Sequence, residues 1–338
     1  MIRIESALAV WSRGGSDSPK LRWIQRWGIS ICSLFLGIAT LFVFRRGLSY
    51  FPWILGSLLL IWVAGVVCAD ARVGWAGTTG KILSFLIEYT VQTLLHGLFL
   101  FLLPIYYGSA TFWAPTGWYV VVLGGAALLT TIDPWYRAVL HRIRSLELIL
   151  FALGWFSCLN LALTLLGLNT TWALVLSGVG TLLALLPVLL RVPAHQRTLA
   201  AMMAGLGLLG GPWLLREAIP PVPLQLVGAT FARGIEHLEP VMPVREITAD
   251  ELRGWGKLWV WSAVVSPIAV EDSVYHVWIK DGVEVASMPR KAIVSQPGGY
   301  RIYSWKSGFG SDPVGVWLVE VRTTADRLIG RAWLRVVP

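Results

Sequence analysis

The chain of 338 residues is 56% hydrophobic and 14% charged, whereas soluble domains average about 25% charged residues. A soluble fold could not bury this much apolar surface, so the composition indicates a protein of the lipid bilayer. The net charge of +9 does not indicate nucleic acid as a partner, because residues 219–338 carry 13 Lys or Arg against 12 Asp or Glu. Most of the excess positive charge lies in the N-terminal tail and between apolar segments, as in membrane proteins.

Residues 1–27 form a polar tail with five basic side chains, which we interpret as cytoplasmic. Seven apolar segments follow it: 28–44, 51–69, 82–105, 117–132, 146–166, 172–190 and 199–215. Most of them approach the roughly 20 residues that a helix needs to cross a bilayer core. We therefore predict that residues 28–218 form an α-helical polytopic membrane bundle of about seven transmembrane helices. For 172–215, a short or re-entrant pair is the alternative.

The charges between the apolar segments alternate. Besides the tail, every second loop is basic: Arg72 and Lys81, then Arg137, Arg142 and Arg144, then Arg191 and Arg197. The intervening loops 106–116 and 167–171 carry no charge, and Arg45 and Arg46 are the one exception to the alternation. Because Lys and Arg stay on the cytoplasmic side, we predict a cytoplasmic N-terminus and a C-terminal domain on the opposite side of the membrane.

The C-terminal third has a different pattern. Residues 219–256 begin with several prolines, and we interpret this range as a proline-rich connector. From residue 257 the side chains alternate with a period of two, as in β-strands. The candidate strands are 258–266, 274–280, 283–287, 290–296, 300–306, 314–322 and 328–337. With the hairpin signal Asp281-Gly282, this predicts an all-β, Ig-like antiparallel sandwich at residues 257–338.

No motif in the sequence indicates a cofactor, a metal site or a catalytic nucleophile. The three cysteines lie in apolar segments without metal-ligand spacing, and GxSxG and HExxH motifs are absent. Gly205, Gly207 and Gly210 match GxGxxG, but inside an apolar helix such glycines favour helix packing over dinucleotide binding. We therefore predict no catalytic residue and no cofactor, and we do not expect an enzyme.

The strongest polar signal within the apolar segments is the series Glu88, Gln92 and His96. These residues stand four positions apart, so they share one face of a helix. Ionisable groups in a membrane are costly and face a bundle interior or a wet cavity. The series therefore indicates either a proton path or polar substrate site, or a cluster of hydrogen bonds between helices.

In the predicted sandwich, alternation places aromatic and basic side chains on shared strand faces. If three of these faces belong to one sheet, they form a surface that could stack on sugar rings and pair with acidic groups. The candidate residues of this surface are His276, Trp278, Arg301, Tyr303, Trp305, Lys306, Trp317, Arg331 and Trp333. The alternative is that the tryptophans form the core and the arginines lie at solvated edges.

Two groups of motifs resemble known families. Residues 88–104, 127–136 and 219–224 resemble an uncharacterised family of proteobacterial multi-pass membrane proteins. His276-x-Trp278, Arg301-x-x-Ser304-x-Lys306 and Gly315-x-Trp317 are similar to an uncharacterised domain that follows such membrane parts. The resemblance implies a bacterial inner membrane and a periplasmic C-terminal domain. It implies no activity and no site residue.

Three functional hypotheses follow. The first is a binding or assembly protein of the cell envelope, whose periplasmic domain engages a glycan, a lipid head group or a protein partner. The second is a transporter or intramembrane enzyme that uses the face formed by Glu88, Gln92 and His96. The third is a structural subunit of a larger membrane complex, which a constant copurifying partner would favour.

Overall fold

The computed structural model describes Gly56, Leu60 and Val63 and residues 78–132, 135–136, 139, 146–266, 272–288, 291–292, 299–310 and 312–338. The first two predicted apolar segments, 28–44 and 51–69, lie almost entirely outside the described residues. Within the described residues, the N-terminal part is helical and the C-terminal part is β-rich, as the predicted fold class requires.

Four helices follow the predicted apolar segments between residues 78 and 190. They are α1 (Thr78–Gly108), α2 (Pro115–Thr131), α3 (Leu146–Leu165) and α4 (Thr170–Leu190). The part of α1 from Thr90 onward, α3 and α4 are each long and apolar enough to cross a membrane, whereas α2 is apolar but has only 17 residues. The described residues therefore support three candidate spans and do not support the predicted seven.

The last apolar segment, predicted as one helix over 199–215, is divided. It comprises α5 (Ala194–Gly205), a π-helical turn (Leu206–Gly210) and α6 (Gly211–Leu214). Four glycines and Pro212 in this stretch weaken regular helical hydrogen bonding. The turn packs against α4 at Gly178, where a Cβ atom would overlap the Leu208 carbonyl oxygen. The glycine that allows this close packing is on α4, whereas a Cβ atom at Gly205, Gly207 or Gly210 would meet no described atom within 4 Å.

The C-terminal part contains ten strands and one short helix among the described residues. They are β1 (Gln225–Glu236), β2 (Glu239–Val244), β3 (Glu246–Thr248), α7 (Ala249–Trp255), β4 (Lys257–Val265), β5 (Ser273–Lys280), β6 (Val283–Ser287), β7 (Lys291–Ala292), β8 (Tyr300–Ser307), β9 (Gly315–Thr323) and β10 (Leu328–Val337). One sheet, which we call sheet A, has the order β2-β1-β4-β8. The other, sheet B, has the order β3-β10-β9-β5-β6, and β7 also pairs with β5.

The two sheets pack face to face and share a hydrophobic core. Phe231 of sheet A meets Trp278 of sheet B edge to face, with ring centroids 5.7 Å apart. Gly330 lies so close to Leu226 that a Cβ atom would overlap its side chain. All described strand pairs are antiparallel except β3 with β10, because the chain leaving β2 crosses to sheet B and runs alongside β10 in the same direction. The sandwich is therefore mixed rather than purely antiparallel.

The sandwich begins earlier in the chain than predicted. β1 lies between β2 and β4 inside sheet A, although its residues belong to the range 219–256 that we interpreted as a connector. β2 contains Pro240 and Pro243, and these prolines are tolerated because β2 is at the edge of the sheet, where one side of the strand needs no donor.

Candidate functional site

The polar face of α1 is bonded to α2. Gln92 is buried and its Nε2 donates to the Thr130 carbonyl oxygen at 3.1 Å. His96 is also buried, and its Nδ1 lies 2.9 Å from Thr131 Oγ1. Because the Thr131 hydroxyl donates to the Ala127 carbonyl, it accepts from His96, which places the proton on Nδ1.

These contacts favour the second interpretation of the Glu88, Gln92 and His96 series. Gln92 and His96 join α1 to α2 by hydrogen bonds, as expected of an interhelical cluster. The structure describes the side chains of α1 only from Thr90 onward, so the predicted role of Glu88 stays a prediction.

A second polar cluster lies at the end of the bundle nearest the sandwich. Tyr106 of α1 is fully buried, donates to the Ser157 carbonyl at 2.9 Å and accepts from Asn160 at 3.1 Å. Tyr119 of α2 lies 2.7 Å from Ser157 Oγ. The cluster ties α1, α2 and α3 together directly beneath the sandwich.

Arg327 of the sandwich reaches into this end of the bundle. Only 1% of Arg327 is exposed. Its Nη1 donates to the Thr170 carbonyl, and its Nη2 donates to the carbonyls of Ile219 and Pro220, each at 2.9 Å. Burial lowers the pKa of Arg327 to about 10, against the electrostatic attraction of Asp272, so the guanidinium is charged at neutral pH. We call this contact the Arg327 anchor.

Further contacts surround the Arg327 anchor. Thr170 at the start of α4 donates to Asp272 Oδ2 at 2.7 Å, and Thr111 donates to the Ile329 carbonyl at 3.2 Å. The Gln225 side chain lies over Gly108, the last residue of α1. Asp272, Ile329 and Gln225 all stand at strand ends, so the strands of the sandwich run away from the bundle.

The nine residues predicted to form one surface of the sandwich lie in different places. His276, Trp278 and Trp317 are buried in the core, with at most 2% of each exposed, so they do not lie on a surface. Their position agrees with the alternative interpretation of the tryptophans. The assumption that the strand faces share one sheet is also wrong, because β8 belongs to sheet A whereas β5 and β10 belong to sheet B.

Sheet B carries only two of the remaining predicted residues on its outer face. Arg331 pairs with the buried Glu320 at 2.7 Å, and Trp333 is 54% exposed. The other three outward residues, Arg301, Tyr303 and Trp305, lie on β8 of sheet A, and the half-buried Lys306 follows them on the inner side of the strand end.

His276 links the two sheets inside the core. Its Nε2 lies 2.8 Å from Ser262 Oγ on β4, and its Nδ1 lies 2.7 Å from Ser304 Oγ on β8. Trp278 Nε1 also donates to Ser304 Oγ, at 3.2 Å. The His-x-Trp motif and the serine of the Arg-x-x-Ser-x-Lys motif therefore form one buried network that fixes the position of sheet B on sheet A.

The outer face of sheet A carries four aromatic side chains, which we call the aromatic platform: Trp259, Trp261, Tyr303 and Trp305. Trp259 is opposite Trp305 and Trp261 is opposite Tyr303 in the pairing of β4 with β8. The Trp259 ring centroid is 6.0 Å from that of Tyr303 and 6.2 Å from that of Trp305. Trp305 is 43% exposed, and Lys257 Nζ lies 4.7 Å above its ring.

The hairpin between β1 and β2 folds over this platform, and we call its residues 235–239 the flap. Trp261 Nε1 donates to the Leu238 carbonyl at 2.7 Å. Arg301 Nη2 forms an ion pair with Glu239 Oε1 at 2.7 Å. Between the flap and the rings is an open pocket of about 340 Å³, lined by Ile235, His237, Leu238, Trp259 and Tyr303.

The pocket lies far from the bundle. Trp259 is six residues along β4 from Val265, which pairs with Gln225 at the bundle end of the sandwich. At about 3.3 Å per residue, this separation is about 20 Å. A ligand in the pocket is therefore held well away from the surface of the bundle.

Sequence reasoning missed Trp259, Trp261 and the flap. The strand β4 was predicted, and the alternation of its tryptophans with Leu258 and Val260 was visible, but neither its pairing with β8 nor the existence of β1 was. No cluster of three or more His, Cys, Asp or Glu side chains suited to a metal ion occurs among the described residues.

The described part of the chain combines three helices that are long enough to cross a bilayer with a mixed β-sandwich packed on their end, so the protein is a candidate membrane protein with a β-sandwich domain. The chain belongs to a family of unknown function, DUF5924, whose sequence model matches residues 20–258. Residues 271–336 match the model of a second group of unknown function, DUF2914. Among curated proteins and among solved structures, no match to the chain was found.

Proposed function

We propose that this protein is a membrane-anchored binding protein of the bacterial cell envelope, and that its sandwich engages an envelope glycan through the aromatic platform. The observation that carries the proposal is the set of four aromatic side chains on the outer face of sheet A, of which Trp305 is exposed and the other three are half-buried, beside a pocket of about 340 Å³. Sugar rings present apolar C–H faces that stack on aromatic rings, and pockets of this size hold small ligands.

The position of the pocket supports a glycan over the other two ligand classes. A lipid head group at the membrane surface would have to reach about 20 Å along β4 to contact Trp259. A protein partner needs roughly 800 Å² of matching surface, whereas the flap leaves a small concave opening. A glycan strand that extends from the membrane or the wall can reach the distant pocket, and it does not need a large matching surface.

The proposal includes the topology and the location. The N-terminus is cytoplasmic, the chain crosses the inner membrane seven times, and the sandwich is periplasmic. Two observations support this arrangement: the sandwich contacts Thr111 and Thr170, which lie in or beside the uncharged loops, and residues 194–214 return along α4. A periplasm-active reporter fused after Pro338 should be active, and activity only of a cytosolic reporter would contradict the orientation.

Binding can be tested with the full-length protein in mild detergent and soluble polysaccharide fractions from the envelope. Trp305→Ala should weaken binding about five- to thirtyfold, because each stacked ring contributes about 1–2 kcal/mol. Trp333→Ala is the matched control, since Trp333 is also an exposed tryptophan, on the outer face of the other sheet. Equal losses from both variants, or none from Trp305→Ala, would contradict the proposed site.

A further inference from the structure

The ion pair between Arg301 and Glu239 joins two strands that are not neighbours. β8 and β2 are the two outer strands of sheet A, with β4 and β1 between them. Adjacent strands are about 4.8 Å apart, so the pair at 2.7 Å forms only because the flap folds back across the sheet. Glu239 therefore brings a carboxylate to the aromatic platform from outside it.

The flap turn is conformationally strained. His237 and Leu238 have φ values of 51° and 63°, and the pairing of Glu236 with Glu239 leaves them as a two-residue hairpin loop. Such loops favour Asn and Gly, because other side chains clash in the left-handed region. The turn is held by the Trp261 and Arg301 contacts, so loss of one contact favours opening of the flap.

Arg301 can bind more than one carboxylate oxygen. A guanidinium has five N–H donors in a planar fork, and Nη2 is the one that pairs with Glu239. Its Nε is buried and has no hydrogen-bond partner among the described residues. The Glu239 carboxylate thus leaves part of the donor fork of Arg301 unused.

Lys257 adds a second positive charge to the same face, above the Trp305 ring. If Glu239 leaves, Arg301 and Lys257 present one cation at each end of the aromatic platform. The side chains of Arg301 and Glu239 are 37% and 52% exposed, and exposed ion pairs of this kind contribute little to stability. An incoming carboxylate can therefore exchange with Glu239 at small cost.

We propose that the ligand of the platform is an acidic glycan, and that a sugar carboxylate replaces Glu239 on Arg301 while the sugar rings stack on Trp259, Tyr303 and Trp305. This inference rests on the proposed function and names the chemical class of its ligand. Glu239 acts as an internal substitute for the ligand carboxylate, and the flap opens when the ligand displaces it.

The test uses the full-length protein in mild detergent and two probes of equal length: a β-1,4-linked oligosaccharide of glucuronic acid and its neutral glucose counterpart. Glu239→Gln should bind the acidic probe about two- to fivefold more tightly, because the competing charge is gone. Arg301→Gln should bind it at least about tenfold more weakly. Neither change should alter binding of the neutral probe by more than about twofold.

Asp250→Asn is the matched control, since Asp250 forms an exposed ion pair with Arg253 at 2.9 Å on α7, away from the platform. It should leave binding of both probes unchanged. Arg301→Lys, which keeps the charge but not the fork, should fall between the wild type and Arg301→Gln. A thermal midpoint near that of the wild type checks that each variant is folded.

The outcomes separate the two proposals. If both probes bind with equal affinity and Glu239→Gln changes neither, the platform binds glycans but the acidic class is wrong. If neither probe binds to the wild type or to Glu239→Gln, the proposed function itself is contradicted. Preference of the wild type for the acidic probe, increased by Glu239→Gln and lost in Arg301→Gln, supports both.

Discussion

Two arginines of the sandwich make opposite kinds of contact. Arg327 is 1% exposed and donates to three backbone carbonyls, one at the start of α4 and two in the segment that joins the last helix to β1. Arg301 has a side chain that is 37% exposed and pairs with one exposed carboxylate, that of Glu239. Removing a buried charge from its partners is costly, whereas an exposed ion pair is worth at most about 1 kcal/mol. The first contact is therefore permanent, and the second is exchangeable.

The difference indicates how one domain can combine fixed attachment with reversible binding. The bundle end of the sandwich holds a buried charged group whose acceptors are carbonyls of α4 and of the segment before β1. The platform holds a charged group whose present partner is easily replaced. The following experiments test this comparison, from the largest expected effect to the smallest.

Arg327→Met should release the sandwich from the bundle. The change leaves the carbonyls of Thr170, Ile219 and Pro220 without donors, and we expect a loss of about 3–5 kcal/mol of docking free energy. The measurement is the rate of limited proteolysis in residues 216–224. Arg335→Met, at an exposed position on β10, is the control, and equal cleavage rates in both variants would contradict the Arg327 anchor.

His276→Ala should lower the stability of the sandwich by about 3 kcal/mol, because it leaves a cavity and removes the partner of Ser262 and Ser304. The thermal midpoint followed by tryptophan fluorescence reports this loss. Proteolysis at residues 216–224 at low temperature should stay as in the wild type, which distinguishes core damage from undocking. Val283→Ala, on the exposed face of β6, should have little effect.

Leu238→Gly should stabilise the sandwich by about 0.5–1 kcal/mol, since glycine adopts the left-handed conformation of the flap turn without strain. The unfolding midpoint should therefore rise. A fall of the midpoint would mean that the packing of the Leu238 side chain stabilises the sandwich by more than its left-handed backbone destabilises it. His195→Gly, in the exposed first turn of α5, should instead be destabilising or neutral.

The smallest effect concerns Asp326. Burial alone would raise the pKa of Asp326, but hydrogen bonds from Tyr275 and Arg322 outweigh burial and hold the pKa below its ordinary value. The stabilisation from the charged form is therefore present above about pH 4 and lost as the pH falls through the lowered pKa. Unfolding midpoints measured from pH 5 to pH 2 should decline more steeply for the wild type than for Asp326→Asn. Parallel curves would contradict this role.

The helices that the structure describes between residues 78 and 190 follow the predicted apolar segments, because a long uncharged segment has few alternatives to a helix. The predicted 146–166 and 172–190 correspond to Leu146–Leu165 and Thr170–Leu190. The division of the last segment was not predictable from hydropathy, since the glycines and Pro212 affect hydrogen bonding without changing apolar character.

The strands from residue 257 onward were also predicted closely, as with β6 at Val283–Ser287. β2 was missed because Pro240 and Pro243 argue against a strand unless it is known to be at an edge. β1, which has no proline, was assigned with it to the same connector. The helix α7 carries a capping box of Thr248 and Glu251, a signal visible in the sequence. The platform could not be predicted, because the pairing of strands distant in the chain is not encoded in local alternation.

Because β1 lies inside sheet A, the boundary between the two family matches does not separate two independent folding domains. The two family matches end at residue 258 and begin at residue 271, yet sheet A takes β1 and β2 from the first match and β8 from the second. A fragment cut between the matches would expose the inner side of sheet B and leave β8 without its neighbour. The two matched ranges therefore do not coincide with the sandwich, and a fragment meant to contain all of its strands has to start before Gln225.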